Sequence, residues 1–311
     1  MLEGIKVIDF SFYLPGPYAT LRLGDLGAEI IKVEPPNGEP ARNTGHLING
    51  EGLVFLANNR NKKSITLDLK TKEGQDIALS LIEDADVMVE SFRPGVTSRL
   101  GIDYESAVAK NKDLIYCSIT GYGQKGAASK LGSHDLNYMA VSGALAQLKG
   151  KDRVPVHPTN TFADLVGAVV ANERILSALW KREKTGTGSY IDISLADEMI
   201  SFMTNHVLFE QETGRENGVP ILDGELICYS LYKTKDDRYV ALAAVEEKFW
   251  SNFCEAIGRP DWLRAHWSNA SHSNPVYLEV VSCFSERTLK EWTEFGLKHD
   301  CCLTPVMKLV S

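Results

Sequence analysis

The feature that most constrains this chain is an alternation of short apolar runs and helical patterns that begins at its sixth residue. Lys6 to Phe10 reads as a short buried strand, Pro17 fits the first turn of a helix reaching about Leu26, and Glu29 to Glu34 reads as the next strand. Further strands are predicted at Ser64 to Leu69, Asp86 to Glu90 and Leu114 to Thr120, with a helix from about Lys72 to Glu83. Strands separated by helical segments predict a parallel α/β sheet. Two longer helical patterns, about Asp135 to Leu148 and Phe162 to Lys184, precede a break at Lys184-Thr185-Gly186-Thr187-Gly188 and a strand at Tyr190 to Ser194.

Beyond about residue 222 the texture changes. Leu226 to Lys233 and Arg238 to Ala244 flank Thr234-Lys235-Asp236-Asp237 and predict an antiparallel hairpin, followed by a helix from about Glu247 to Ile257 that ends at Gly258 and Pro260. The expected organisation is therefore α/β: a parallel-sheet large domain over 1–194, a helical linker over 195–222 and a small α+β domain over 223–311. With 44% of its 311 residues hydrophobic, the chain can bury two such cores without covalent staples.

Charge and composition narrow the function classes. No window reaches the ~18 apolar residues of a membrane span. The start, Met1-Leu2-Glu3-Gly4-Ile5-Lys6, is too short and too acidic for a signal peptide. A cytoplasmic protein is expected. The net charge is −8, from 33 basic and 41 acidic residues, so neither nucleic acid nor an anionic membrane is an expected partner. An anionic ligand must then be met by a local basic cluster. The six cysteines form no CxxC pair and the seven histidines no HExxH pattern, so reduced thiols and no metal site are expected.

Several segments could carry chemistry. Gly121-Tyr122-Gly123-Gln124-Lys125-Gly126 matches GxGxxG after a strand, but no acidic residue ~20 positions further on would take a ribose hydroxyl, so a glycine-rich loop near a ligand is favoured over a nicotinamide site. Asn59-Arg60-Asn61-Lys62-Lys63 is the densest basic cluster, and Arg93 in Glu90-Ser91-Phe92-Arg93-Pro94-Gly95 stands at a predicted strand's carboxyl end. Either these are a solvated run and an ordinary turn, or they hold phosphates. Asp164 falls in the first turn of a long helix with Thr159, Asn160 and Thr161 available as caps; His134 with Asp135 begins another, and Glu246 and Glu247 a third. Helix-start chemistry alone accounts for such residues equally well.

The stretches Leu2 to Asp9, Gly24 to Glu34 (GDLGAEIIKVE), Arg60 to Lys70 (RNKKSITLDLK) and Glu90 to Val96 (ESFRPGV) resemble the family III CoA-transferase and α-methylacyl-CoA racemase superfamily, and the resemblance runs through nearly the whole chain. It implies a Rossmann-like large domain, a small α/β domain and a homodimer of interlocked chains. It also implies an acyl-CoA substrate and no separate cofactor. Phe162-Ala163-Asp164-Leu165 matches the catalytic aspartate. Arg60, Asn61, Lys62, Lys63, Phe92 and Arg93 correspond to the CoA-binding loops, and Arg99 and Lys125 are counted with them. Gly132-Ser133-His134-Asp135-Leu136-Asn137-Tyr138 is similar to the racemase motif that supplies a histidine base, and Ala244 to Phe249 to the segment whose glutamate, here Glu246, orients that histidine from a neighbouring subunit.

The resemblance thus favours a racemase in which His134 and Asp164 exchange a proton at the α-carbon of a 2-methylacyl-CoA. A backbone N–H at the start of the Asp164 helix is the candidate enolate donor. The alternatives are a CoA-transferase with Asp164 as nucleophile and a non-catalytic CoA-binding protein. Family members continue past the small domain and return to the large one. This sequence ends at Cys301 to Ser311, where the last small-domain strand is expected, so that return segment is expected to be missing.

Overall fold

Among the described residues eleven strands are formed, in chain order β1 (Lys6–Asp9), β2 (Glu29–Glu34), β3 (Leu47–Ile48), β4 (Glu51–Gly52), β5 (Lys63–Thr66), β6 (Val87–Glu90), β7 (Ile115–Thr120), β8 (Ser189–Ser194), β9 (Tyr229–Lys233), β10 (Tyr239–Ala243) and β11 (Leu303–Pro305). The structure is a computed structural model that describes residues 1–150, 154–216 and 218–309. It comprises two units, divided between Thr204 and Asn205.

In the first unit six strands pair parallel in the order β5-β2-β1-β6-β7-β8. Counted along the chain within that sheet the order is 3-2-1-4-5-6, the Rossmann arrangement, in which the winding reverses between β1 and β6. Crossover helices cover both faces, so the central strands are buried throughout, all of Val87–Glu90 and all of Ile115–Thr120 included. Successive side chains go to opposite layers. Val7, Val87, Val89, Cys117 and Ile119 pack with Ala163, Ala168, Ala171 and Ile175 of the Phe162–Thr185 helix. Ile8, Met88 and Tyr116 pack with Ala78, Ile82 and Ala107 on the other face.

The helices begin and end where local chemistry dictates. The Thr71 hydroxyl accepts the Gly74 N–H at 3.1 Å and starts the Lys72–Glu83 helix. The first helix runs Pro15–Asp25, two residues ahead of the expected Pro17 start. The pattern read as one helix from Asp135 to Leu148 is two, Asp135–Val141 and Ala144–Gln147, because Gly143 takes φ +80° and ends the first. The linker expected from residue 195 is corrected in its first half. Leu195–Ser201 is a core helix whose Leu195, Ala196 and Met199 are buried in the large unit, so that unit reaches Thr204.

The second unit holds an antiparallel sheet ordered β11-β10-β9, with Tyr239 opposite Lys233 in the expected hairpin. Its own core is aromatic: Trp250, Phe253, Trp262, Phe284 and Trp292 are all buried, and rings of Phe253 and Phe284 stack at 5.5 Å. The last two residues of the chain's ending lie outside the described residues. Among the described residues no helix is long and apolar enough to cross a membrane.

Candidate active site

Ligands of open α/β sheets bind outside the carboxyl ends of the strands where the winding reverses. Three segments leave that edge, after β1, β6 and β7. The first two are tied together: the Phe12 N–H donates to the Ser91 Oγ at 3.0 Å, and the Phe12 and Phe92 rings meet edge to face at 5.3 Å. Arg93 is exposed, and its guanidinium lies over Gly132, where an added Cβ would stand 3.0 Å from it. The third segment begins with Gly121. A Cβ there would come within 2.5 Å of the Tyr138 ring and 2.8 Å of the Ser133 Oγ, so glycine is required by close packing against the His134 segment, not by a pyrophosphate.

His134 and Asp164 stand 30 positions apart in sequence and at two adjoining helix starts in the fold. His134 is exposed, in extended backbone at the N-cap of the Asp135–Val141 helix, and its N–H donates to Asn137 Oδ1 at 3.0 Å. The next residue, Asp135, is 8% exposed, and its Oδ1 accepts the Asp164 N–H at 3.0 Å. One helix is therefore capped by the carboxylate that opens the other, which sets Asp164 beside the histidine's segment. The expected caps do not serve: Thr161 holds the N-cap position without a side-chain bond. The Asp164 N–H is occupied by Asp135, and Ala163's backbone also bonds that carboxylate. This narrows the expected enolate donor, a backbone N–H at this helix start, by removing two of its candidates.

Electrostatics follow from this packing. Burial lifts the Asp164 carboxyl to about 7, and the like charge of Asp135 adds to the rise. Asp135 is raised as well, by burial, against the backbone bonds from Asp164 and Ala163 that favour its charged form. An acid poised near neutrality can both take and give a proton at working pH. Asp135→Asn keeps an acceptor for the helix start and removes the charge. The acidic limb of the enzyme's pH–rate profile should then move to lower pH; a limb that stays in place counts against electrostatic coupling.

The basic cluster divides. Arg60 is exposed and pairs with Asp25 at 2.6 Å, Lys63 is exposed and pairs with Glu29 at 2.5 Å, and Asn61 turns the chain with φ +62°. Lys62 points inward, which corrects its expected place at a phosphate. Its Nζ lies 3.0 Å from Asp9 Oδ2 and donates to Pro17 O at 2.9 Å, Thr20 Oγ1 at 2.8 Å and Asn59 Oδ1 at 2.8 Å. Lys32 completes this buried group, 3.8 Å from Asp9 and 2.6 Å from Glu39. Glu39 Oε1 in turn accepts the Tyr13 N–H at 2.6 Å and holds Tyr13 at φ +64° on the ligand edge. Sequence reading missed this network; the available signal was a lone acid, Asp9, inside an apolar strand. Arg99 and Lys125 are exposed, Arg99 at the end of the short Val96–Arg99 helix and Lys125 in the glycine loop. Glu246 is exposed at the N-cap of the Glu247–Ile257 helix in the second unit.

The fold is a Rossmann-type α/β arrangement in which an exposed histidine and a largely buried aspartate stand at adjoining helix starts after β7. The CoA-transferase family III model matches residues 2–310, and the chain belongs to that family. It is 31% identical to an α-methylacyl-CoA racemase of Mus musculus over 99% of this chain and 78% of the mouse protein. It is 36% identical to a succinyl-CoA:glutarate CoA-transferase of Mus musculus over 94% of this chain and 68% of that protein. Among solved structures, a CAIB/BAIF family protein from Brucella suis superimposes with a TM-score of 0.82 at 30% identity, covering 99% of this chain and 84% of that one.

Proposed function

We propose that the protein racemises a 2-methylacyl-CoA by 1,1-proton transfer, with His134 on one face of the α-carbon and Asp164 on the other. The observation that carries this reading is the bond from the Asp164 N–H to the carboxylate next to His134 in sequence, which brings a near-neutral acid to the helix start that carries the exposed histidine. Inversion next to a thioester carbonyl needs a base on one face and an acid on the other. Burial supplies the aspartate's half. The thioester carbonyl acidifies the α-proton, and the resulting enolate oxygen needs a donor other than the Asp164 N–H. In this reading CoA is part of the substrate and no separate cofactor takes part. Arg60, Asn61, Lys63, Phe92, Arg93, Arg99 and Lys125 receive its anionic portion, and Glu246 is supplied by a second copy of the chain in a homodimer.

A second reading is favoured by the 36% identity to a CoA-transferase. There Asp164 attacks the thioester and expels CoA thiolate to give a mixed anhydride; the thiolate then attacks the Asp164 carbonyl, releasing the donor acid and leaving an enzyme-bound thioester, and the acceptor acid takes up the CoA by the same two steps in reverse, freeing Asp164. The two separate in heavy water. With a 2-methylacyl-CoA and no acceptor acid, deuterium should enter the α-carbon, and His134→Ala should stop it. Exchange of CoA that requires an added acid, without deuterium uptake, sinks the racemase reading.

A further inference from the structure

Between two of the segments assigned to CoA lies a buried acid that the proton transfer does not use. Glu90 ends β6 and is 1% exposed. One of its carboxylate oxygens accepts the Phe92 N–H at 2.7 Å, and the other accepts the Ser118 hydroxyl of β7. The Ser118 Oγ accepts in turn from the Gln124 side-chain amide at 3.1 Å. The Gln124 backbone N–H donates to the two Asp192 oxygens, at 3.0 and 3.2 Å. The Phe92-Arg93 turn and the Gly121–Gly126 loop therefore hang from one side chain. The Ser118 hydroxyl donates to Glu90 and accepts from Gln124, so Glu90 serves it as an acceptor, and the hydroxyl's second lone pair leaves room for another donor.

We propose that Glu90 is a positioning residue that brackets the Arg93 turn and the Lys125 loop at the spacing that receives the phosphate-bearing part of CoA. The proposal rests on the assignment of those segments to CoA. Glu90 has no cation partner among the ion pairs of the described residues, so its burial costs stability that an apolar side chain of similar size does not cost. Burial pushes its carboxyl up to about 7, with the nearby Asp192 charge adding and the bonds from Ser118 and Phe92 opposing. An acid kept in the core at that cost, on hydrogen bonds to two ligand-edge loops, fits a site requirement better than a folding one.

The test is titration calorimetry of the whole protein with coenzyme A. Glu90→Leu should fold with an unchanged or higher melting temperature yet bind CoA about tenfold more weakly, since the Phe92 N–H and the Ser118 hydroxyl that ties in Gln124 lose their common acceptor. Glu90→Gln offers one oxygen to Phe92 and an amide to Ser118, and should bind within about threefold of the parent. Ser118→Ala cuts only the Gln124 tie and should give an intermediate loss, which decides the matter if Glu90→Leu does not fold. A parent protein that does not bind CoA overturns the CoA assignment. A parent that binds, with a folded Glu90→Leu of equal affinity or a Glu90→Gln as weak as Glu90→Leu, overturns the bracket, as does an unchanged Ser118→Ala.

Discussion

Asp164→Asn is expected to lower α-proton exchange by about 10²–10⁴-fold, the range for loss of a general acid–base residue, and at the same time to stabilise the protein above neutral pH. Both effects come from one cause. The carboxyl sits at the start of a helix, partly buried, with Asp135 against it, and its folded pKa of about 7 lies above the ordinary 3.8. A raised folded pKa means that the protonated form is the one the fold favours. That contribution is complete below about pH 3.8 and is lost as pH rises through about 7. Asparagine, which never ionises, does not suffer the loss. Melting curves should show the variant gaining little on the parent near pH 3.5, part of the gain at pH 5 and the whole of it at pH 8.5, while exchange stays low throughout. Exchange surviving within tenfold would falsify the role of Asp164.

The second large effect is on stability. Asp9→Asn removes the anion that faces Lys32 and Lys62 and leaves two ammonium groups in the core with Glu39 as their remaining carboxylate. Breaking a buried ion pair from one side costs about 3–5 kcal/mol, and the urea midpoint should fall accordingly. Burial alone would raise the Asp9 carboxyl; Lys32, Lys62 and the Ser11 and Thr20 hydroxyls outweigh it and hold it well below the ordinary carboxylate range. A depressed folded pKa contributes stability that is present above pH 3.8 and is lost as pH falls below it. The parent should therefore lose stability steeply in acid, and the variant less so. An unchanged midpoint at pH 7 means that Asp9 and its lysines are dispensable to the core. Because Glu39 also holds Tyr13, the same variant should loosen the loop after β1.

Strand β2 and the Lys72–Glu83 helix lie where the sequence predicts them because their signals are local: an apolar run of strand length, and a threonine cap ahead of an amphipathic repeat. Glu247–Ile257, ended by Gly258, is legible for the same reason. Errors occur where distant residues decide. Leu195 to Met199 look like linker until a core is there to receive them, whereas the division at Gly143 comes from its own left-handed backbone and is a local signal.

The site divides on the same line. Residue type and motif order brought out His134, Asp164 and the Arg93 turn, since the chemistry of a base, an acid and a guanidinium is carried by the side chains themselves. Only the tertiary structure decided what those groups face. Lys62 reads as part of a solvated basic run, yet it turns inward because Asp9, 53 positions away, ends a buried strand and needs a counter-charge. Asp135 reads as an ordinary helix-start acid, yet it caps the next helix and raises Asp164 because the two helix starts adjoin. Sequence alone determines which groups can ionise and which segments can be helix or strand. Their protonation, and whether a charge meets a ligand or a neighbour, depend on burial and on partners far along the chain, and those exist only once the chain has folded.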